Sequence, residues 1–185
     1  FQQAIGDRGP ESHKIKDGTP TMGGLLIIGS VIFSSLLWGD FSNRFLLMAL
    51  LCLFLFAFLG FLDDYKKVKE KNSKGLSSWT KISYQILFAS IISIALYFYI
   101  FESFELTYIV PFFKEVSLSL GLLFIPISIF IIVGSSNAVN LTDGLDGLAI
   151  LPVILITAAL GLIAWAAGNT IVSDYLYIPY LDGTG

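Results

Sequence analysis

Five apolar runs separated by short polar stretches limit this chain more than any other feature it has. They cover residues 22–38, 45–62, 82–100, 118–133 and 148–167. Crossing a bilayer core takes about 20 predominantly apolar residues, and the runs lie close to that length. Five buried soluble helices in 185 residues would need longer connections than these. Hydrophobic residues make up 55% of the chain and charged ones 14%, with a mean hydropathy of +0.79. The expected fold is therefore all-α: a polytopic helical integral membrane protein with five transmembrane helices in a single domain over residues 1–185.

Local signals refine the runs. Thr19-Pro20 reads as an N-cap followed by proline at the first helical position. Pro126 should kink the fourth run. Tyr97, Tyr99, Phe101, Phe104, Tyr108, Phe112 and Phe113 fit an aromatic belt at a membrane interface. Cys52, the single cysteine, lies inside an apolar run and reads as a small buried hydrophobe. The chain starts at Phe1 without a visible signal peptide and stops at LDGTG, so it is expected to be an internal piece of a longer protein.

The loops set the orientation. Residues 1–21, 63–81 and 134–147 would share one side, with residues 39–44, 101–117 and the tail on the other. The first side holds Arg8, Lys14, Lys16, Lys66, Lys67, Lys69, Lys71, Lys74 and Lys81, the second only Arg44 and Lys114. By the positive-inside rule the first side is cytoplasmic. Every polar stretch that looks like chemistry falls on that face.

Asp63 and Asp64 close the second run and are followed by the lysines. On a helix both lie three or four residues from Lys67, so the three side chains can share a face. A helix C-terminus is the wrong place for two negative charges. Either the helix runs on through Lys71 or the pair is held there for a purpose. Boundary lysines alone need no function, but carboxylates at a membrane boundary are candidates for one.

The stretch GSSNAVNLTDGLDGLA is the most specific string in the chain. Asn137, Asn140, Asp143 and Asp146 recur at every third position, which keeps consecutive side chains neighbours on a helix end. An Asx-rich cap and turn explains one Asn and one Asp but hardly four. No lysine or arginine follows Lys114, so these carboxylates need a partner from elsewhere: a metal, a lysine of residues 63–81, or a hydrogen-bonding substrate. The first segment offers Lys14, Lys16, Thr19 and Thr21 before Gly23-Gly24, while His13 reads as solvated.

Carboxylates and amides able to hold Mg²⁺, with lysines to neutralise phosphate oxygens at a membrane face, suggest phosphoryl transfer to or from a lipid phosphate. A phosphate monoester has a second pKa of about 6, so a lipid phosphate acceptor is largely dianionic at neutral pH. A general base gains little there. Asp63 and Asp64 therefore read as positioning metal and substrate rather than abstracting a proton.

KDGTPTMGG at 16–24, FLDDYKK at 61–67 and NAVNLTDGLDGLA at 137–149 together closely resemble the phospho-N-acetylmuramoyl-pentapeptide transferase family, within the polyprenyl-phosphate N-acetylhexosamine-1-phosphate transferases of glycosyltransferase family 4. The resemblance implies transfer of phospho-MurNAc-pentapeptide from UDP-MurNAc-pentapeptide to undecaprenyl phosphate, giving lipid I and UMP, with Mg²⁺ required. It implies a bacterial cell membrane location, the bilayer as partner, and no nucleic acid. It further implies that Asp63, Asp64 and Asp143 are catalytic, that Lys16, Thr21, Lys67, Lys81, Asn137 and Asp146 bind substrate, and that Asn140 and Asp64 are metal candidates.

By resemblance the parent would carry about ten membrane helices, at ~20 residues each. Its later metal-binding and histidine-rich loops would then lie outside this chain, and the polypeptide by itself is expected to be inactive. The rival readings are a UDP-GlcNAc:polyprenyl-phosphate GlcNAc-1-phosphate transferase and, outside enzymology, a membrane transporter, which should place its ionisable groups near the bilayer midplane. CDP-alcohol phosphotransferases are disfavoured because Asp143-Gly144 is not followed by their arginine. Small-residue helix faces leave a homodimer open.

Overall fold

A computed structural model describes residues 23–70, 75–101, 107–109, 117–143 and 148–184. They form helices α1 (Gly24–Trp38), α2 (Arg44–Glu70), α3 (Ser78–Phe101), α4 (Phe124–Thr142), α5 (Ile150–Gly168) and α6 (Thr170–Leu176). One short antiparallel hairpin, β1 (Thr107–Ile109) with β2 (Ser117–Ser119), pairs Tyr108 with Leu118. The chain is thus a helical membrane protein in which four helices are long and apolar enough to span: Arg44–Glu70, Ser78–Tyr99, Gly121–Thr142 and Ile150–Gly168.

The fifth apolar helix, α1, has 15 residues. At 1.5 Å per residue it reaches about 22 Å, short of the ~30 Å hydrocarbon core. Its expected start at Thr19-Pro20 lies outside the described residues.

Helix ends depart from the apolar runs in a consistent direction. Asn43 caps α2, its Oδ1 accepting from the backbone N–H of Phe45 at 2.9 Å and of Leu46 at 3.3 Å. At the other end α2 continues through YKKVKE, two turns beyond Leu62. Likewise α4 continues through GSSNAVNLT, which the apolar pattern had assigned to a loop. Apolarity marks where the membrane ends, whereas a helix ends only where capping, Gly or Pro stops it.

Pro126, expected to kink the fourth run, lies at the start of α4 rather than in its interior. The helix starts at Phe124 out of a 3-10 turn at Gly121–Leu123, so the proline falls in the first turn, where its missing N–H costs no bond. An unexpected element is α6, capped by Asn169 Oδ1 accepting from Ile171 and Val172 N–H at 3.0 and 3.1 Å.

Helix α3 is the centre of the packing, with α2 on one side and α4 on the other, and α1 rests on α2. The residues buried in this packing include Leu59 of α2 and Gln85, Phe88, Ala89, Ile92 and Ser93 of α3. Ala89 and Ser93, both 0% exposed and four residues apart, let neighbouring backbones approach closely. Helix α5 packs on α6 near Ala166 and Ala167 and leaves most of its apolar surface open, as a lipid-facing helix does.

Asp63 meets Leu76, Arg44 meets Tyr99 and Gln85 meets Asn137, so α2, α3 and α4 run antiparallel in turn. The C-terminal ends of α2 and α4 and the N-terminal end of α3 therefore share one end of the bundle. At the opposite end Arg44 lies 5.7 Å over the Tyr99 ring, and Asn43 donates to the Gly183 carbonyl.

Candidate active site

Because α2 does not stop at the Asp pair, the unfavourable helix dipole does not act on it. What carries the helix onward is side-chain pairing. Lys66 Nζ lies 3.9 Å from Glu70 Oε1, and Lys67 Nζ sits 2.7 Å from Asp63 Oδ2 and 2.9 Å from Asp64 Oδ1. One ammonium group thus bridges both carboxylates, as the spacing predicted.

The two carboxylates are not equivalent. Asp63 is 13% exposed and both of its oxygens are committed, Oδ2 to Lys67 and Oδ1 to the backbone N–H of Leu76 at 2.8 Å. Asp64 is 41% exposed and, among the described residues, binds only Lys67. It stands at the mouth of an apolar groove of about 360 Å³ between α1 and α2, lined by Leu25, Ile28, Leu53, Phe56 and Phe61 among others. Asp63 is an anchor for the returning chain, and Asp64 is the carboxylate open to a ligand.

That return depends on Gly75. Its φ is +58°, and a Cβ there would stand 2.6 Å from Asp63 Oδ1 and 2.8 Å from Lys67 Cε. Gly75→Ala is expected to displace the Asp63–Lys67 pair and to lower stability by about 1–2 kcal/mol from the left-handed backbone alone. Thermal unfolding in detergent measures this, and an unchanged midpoint would contradict it.

After the turn, Ser77 caps α3. Its Oγ accepts from Thr80 N–H at 3.2 Å, and the two hydroxyls lie 2.7 Å apart. The cap starts the helix so that Lys81 falls within electrostatic reach of Asp63. Two carboxylates and two ammonium groups, Asp63, Asp64, Lys67 and Lys81, leave the cluster with no net charge.

Across α3, the last turns of α4 carry the second constellation. Asn137 Nδ2 donates to Gln85 Oε1 and to the Val133 carbonyl, both at 2.8 Å. Asn140 and Asp143 step round to the exposed surface and make no side-chain hydrogen bond among the described residues. Asp143 is the C-cap residue of α4, so the dipole argument made for the Asp pair applies to this carboxylate instead. No hydrogen bond or ion pair joins Asp64 to Asn140. Lys16, Thr21 and Asp146 lie outside the described residues.

Among the described residues no group of three or more His, Cys, Asp and Glu side chains is suited to a metal. Mg²⁺ nevertheless fits the donors present. It takes one or two carboxylates and completes its shell with water and substrate phosphate oxygens, and Asp64 supplies an accessible oxygen of that kind.

Two residues of the site escaped the sequence reading. Gln85 is a lone amide inside an apolar run, and that placement was the available signal. Gly75 ends the lysine-rich stretch, and nothing local marks it as the point where the backbone meets Asp63.

The fold and the site define a class: a polytopic membrane protein with a carboxylate–lysine cluster at one end of its helix bundle. The glycosyl transferase family 4 model matches residues 46–180, which span the Asp pair and the Asn/Asp motif, and the chain belongs to that family. Signature 1 of phospho-N-acetylmuramoyl-pentapeptide-transferase matches residues 16–28, which include Lys16 and Thr21. Membership makes the protein a transferase.

Proposed function

We propose that the protein transfers phospho-MurNAc-pentapeptide from UDP-MurNAc-pentapeptide to undecaprenyl phosphate, releasing UMP and forming lipid I, at the cytoplasmic face of a bacterial cell membrane. The match of residues 16–28 to the muramoyl-pentapeptide signature carries this reading over the UDP-GlcNAc alternative. The positions of the ionisable groups, at helix ends rather than mid-membrane, weigh against a transporter.

In the reaction an oxygen of the acceptor phosphate bonds to the β-phosphorus of the donor, and the bond from that phosphorus to the bridging oxygen breaks. UMP leaves with the electron pair. The acceptor is already largely dianionic, given a second pKa of about 6, so no residue need take its proton. Catalysis is then positioning and charge neutralisation.

Lys67 and Lys81 supply the positive charge in the cluster, but Asp63 and Asp64 offset it. An electroneutral cluster does not by itself neutralise a diphosphate. Mg²⁺, when bound, would supply that charge and polarise phosphate oxygens; Asp64 would be its protein ligand, and Asn140 is a second candidate by the family resemblance alone. Asp143, at the negative end of α4, would be drawn to the same cation or to a substrate donor. Asp63 keeps Lys67 oriented and the loop folded back. Lys16, Thr21, Asn137 and Asp146 are assigned to the nucleotide-sugar.

A donor comparison tests the reading. The full-length protein in detergent, given undecaprenyl phosphate and Mg²⁺, is expected to release UMP from UDP-MurNAc-pentapeptide and not from UDP-GlcNAc. Release from UDP-GlcNAc alone would replace this reading with the sister activity.

A further inference from the structure

The amide orientations at the α3–α4 contact are fixed by chemistry. The Val133 carbonyl can only accept, so the Asn137 atom 2.8 Å from it must be the NH₂ nitrogen. The second proton on that nitrogen goes to Gln85 Oε1, also at 2.8 Å. Gln85 must then turn its own NH₂ to Ser136 Oγ, at 3.3 Å. The helix carbonyl identifies the Asn137 nitrogen, and Gln85 Oε1, by taking that nitrogen's second proton, fixes how the amide plane is turned.

Both protons of the Asn137 amide are consumed inside the protein. Its Oδ1 has no partner among the described residues, and Asn137 is only part-buried. What this residue can offer a ligand is an acceptor. Phosphate oxygens are acceptors too and gain nothing from it.

Gln85 is 2% exposed in the packed centre of the bundle. A buried amide between membrane helices is costly unless its hydrogen bonds are made, and here both ends of the side chain are satisfied by α4. An apolar residue of the same shape would fill the space equally well. The amide therefore contributes orientation rather than packing.

We propose that Gln85 is a positioning residue that locks the Asn137 side chain with its carbonyl oxygen outward, so that Asn137 recognises a hydrogen-bond donor on the nucleotide-sugar, a hydroxyl or N–H, and not its phosphates. This rests on the assignment of Asn137 to the nucleotide-sugar made above.

The test is a double-mutant cycle on the full-length protein, read as KM and kcat for UMP release from UDP-MurNAc-pentapeptide. Gln85→Met keeps the length and removes both hydrogen bonds. It is expected to raise the donor KM about tenfold, the worth of one well-made hydrogen bond, with a smaller change in kcat. Gln85→Glu, neutral when buried, presents an acceptor to Asn137 and an O–H to Ser136, and is expected to stay near wild type. In an Asn137→Ala background, Gln85→Met should cost nothing further.

An equal tenfold loss in both backgrounds would show that Gln85 acts through packing and would overturn the proposal. So would a Gln85→Glu variant as impaired as Gln85→Met while both elute and melt like wild type. Wild-type protein that releases no UMP at all would remove the functional reading, and this inference with it. Wild-type release with an additive cycle removes only the inference.

Discussion

Asp64→Asn is expected to lower UMP release about 10²- to 10³-fold, because a neutral amide would hold less firmly the Mg²⁺ that neutralises the diphosphate. Its stability should stay within about 0.5 kcal/mol of wild type, because the side chain is part-exposed, holds only Lys67, and the amide can still accept from that ammonium. The neighbouring change behaves differently. Asn at position 63 can still accept from Leu76 N–H but gives up the ion pair with Lys67, and Asp63→Leu loses both. Asp63→Leu should therefore loosen the turn at Gly75 and Leu76, seen as faster tryptic cleavage of the Lys74–Gly75 bond, whereas Asp64→Asn leaves that turn intact. Steady-state kinetics together with limited proteolysis separate the two carboxylates. Equal stability losses at both positions would contradict the division of labour.

Lys67→Met carries the second largest expected effect. Removing the ammonium leaves Asp63 and Asp64 adjacent with like charge and no bridging cation, and it takes away a positive charge available to phosphate. Activity should fall about 10²- to 10³-fold. Thermal stability should fall by about 1–3 kcal/mol, because the pair with Asp63 is mostly shielded from solvent and its loss leaves that carboxylate with the Leu76 N–H alone. Lys67→Arg restores charge and can bridge two carboxylates through its fork, yet it is bulkier where Gly75 approaches Lys67 Cε. It should recover part of the activity. A Lys67→Met protein that turns over normally but melts far lower would make this lysine a structural cation only.

The fold class was legible because a bilayer demands long apolar helices and the runs have little else to be. Helix ends were less so. Apolar patterning stops where water begins, while α2 continues on ion pairs and α4 on the absence of a breaker, so the Asp pair, Asn137 and Asn140 sit on helix rather than loop. Within the site, the bridge from Lys67 to both carboxylates followed from spacing three and four along one helix. The unequal roles of Asp63 and Asp64 did not, because the Leu76 N–H that distinguishes them arrives from a backbone reversal with no local signature. Gln85 and Asn137 meet across two helices 52 positions apart, a distance periodicity cannot register.

The central claim, that the site moves a sugar phosphate and not a sugar alone, is tested most directly by following the β-phosphate of the donor. UDP-MurNAc-pentapeptide radiolabelled at that position, incubated with the full-length protein, Mg²⁺ and undecaprenyl phosphate, should deliver its label to the organic-soluble lipid fraction while unlabelled UMP appears in equal amount. Label left in water as UDP, with sugar alone on the lipid, would contradict the account.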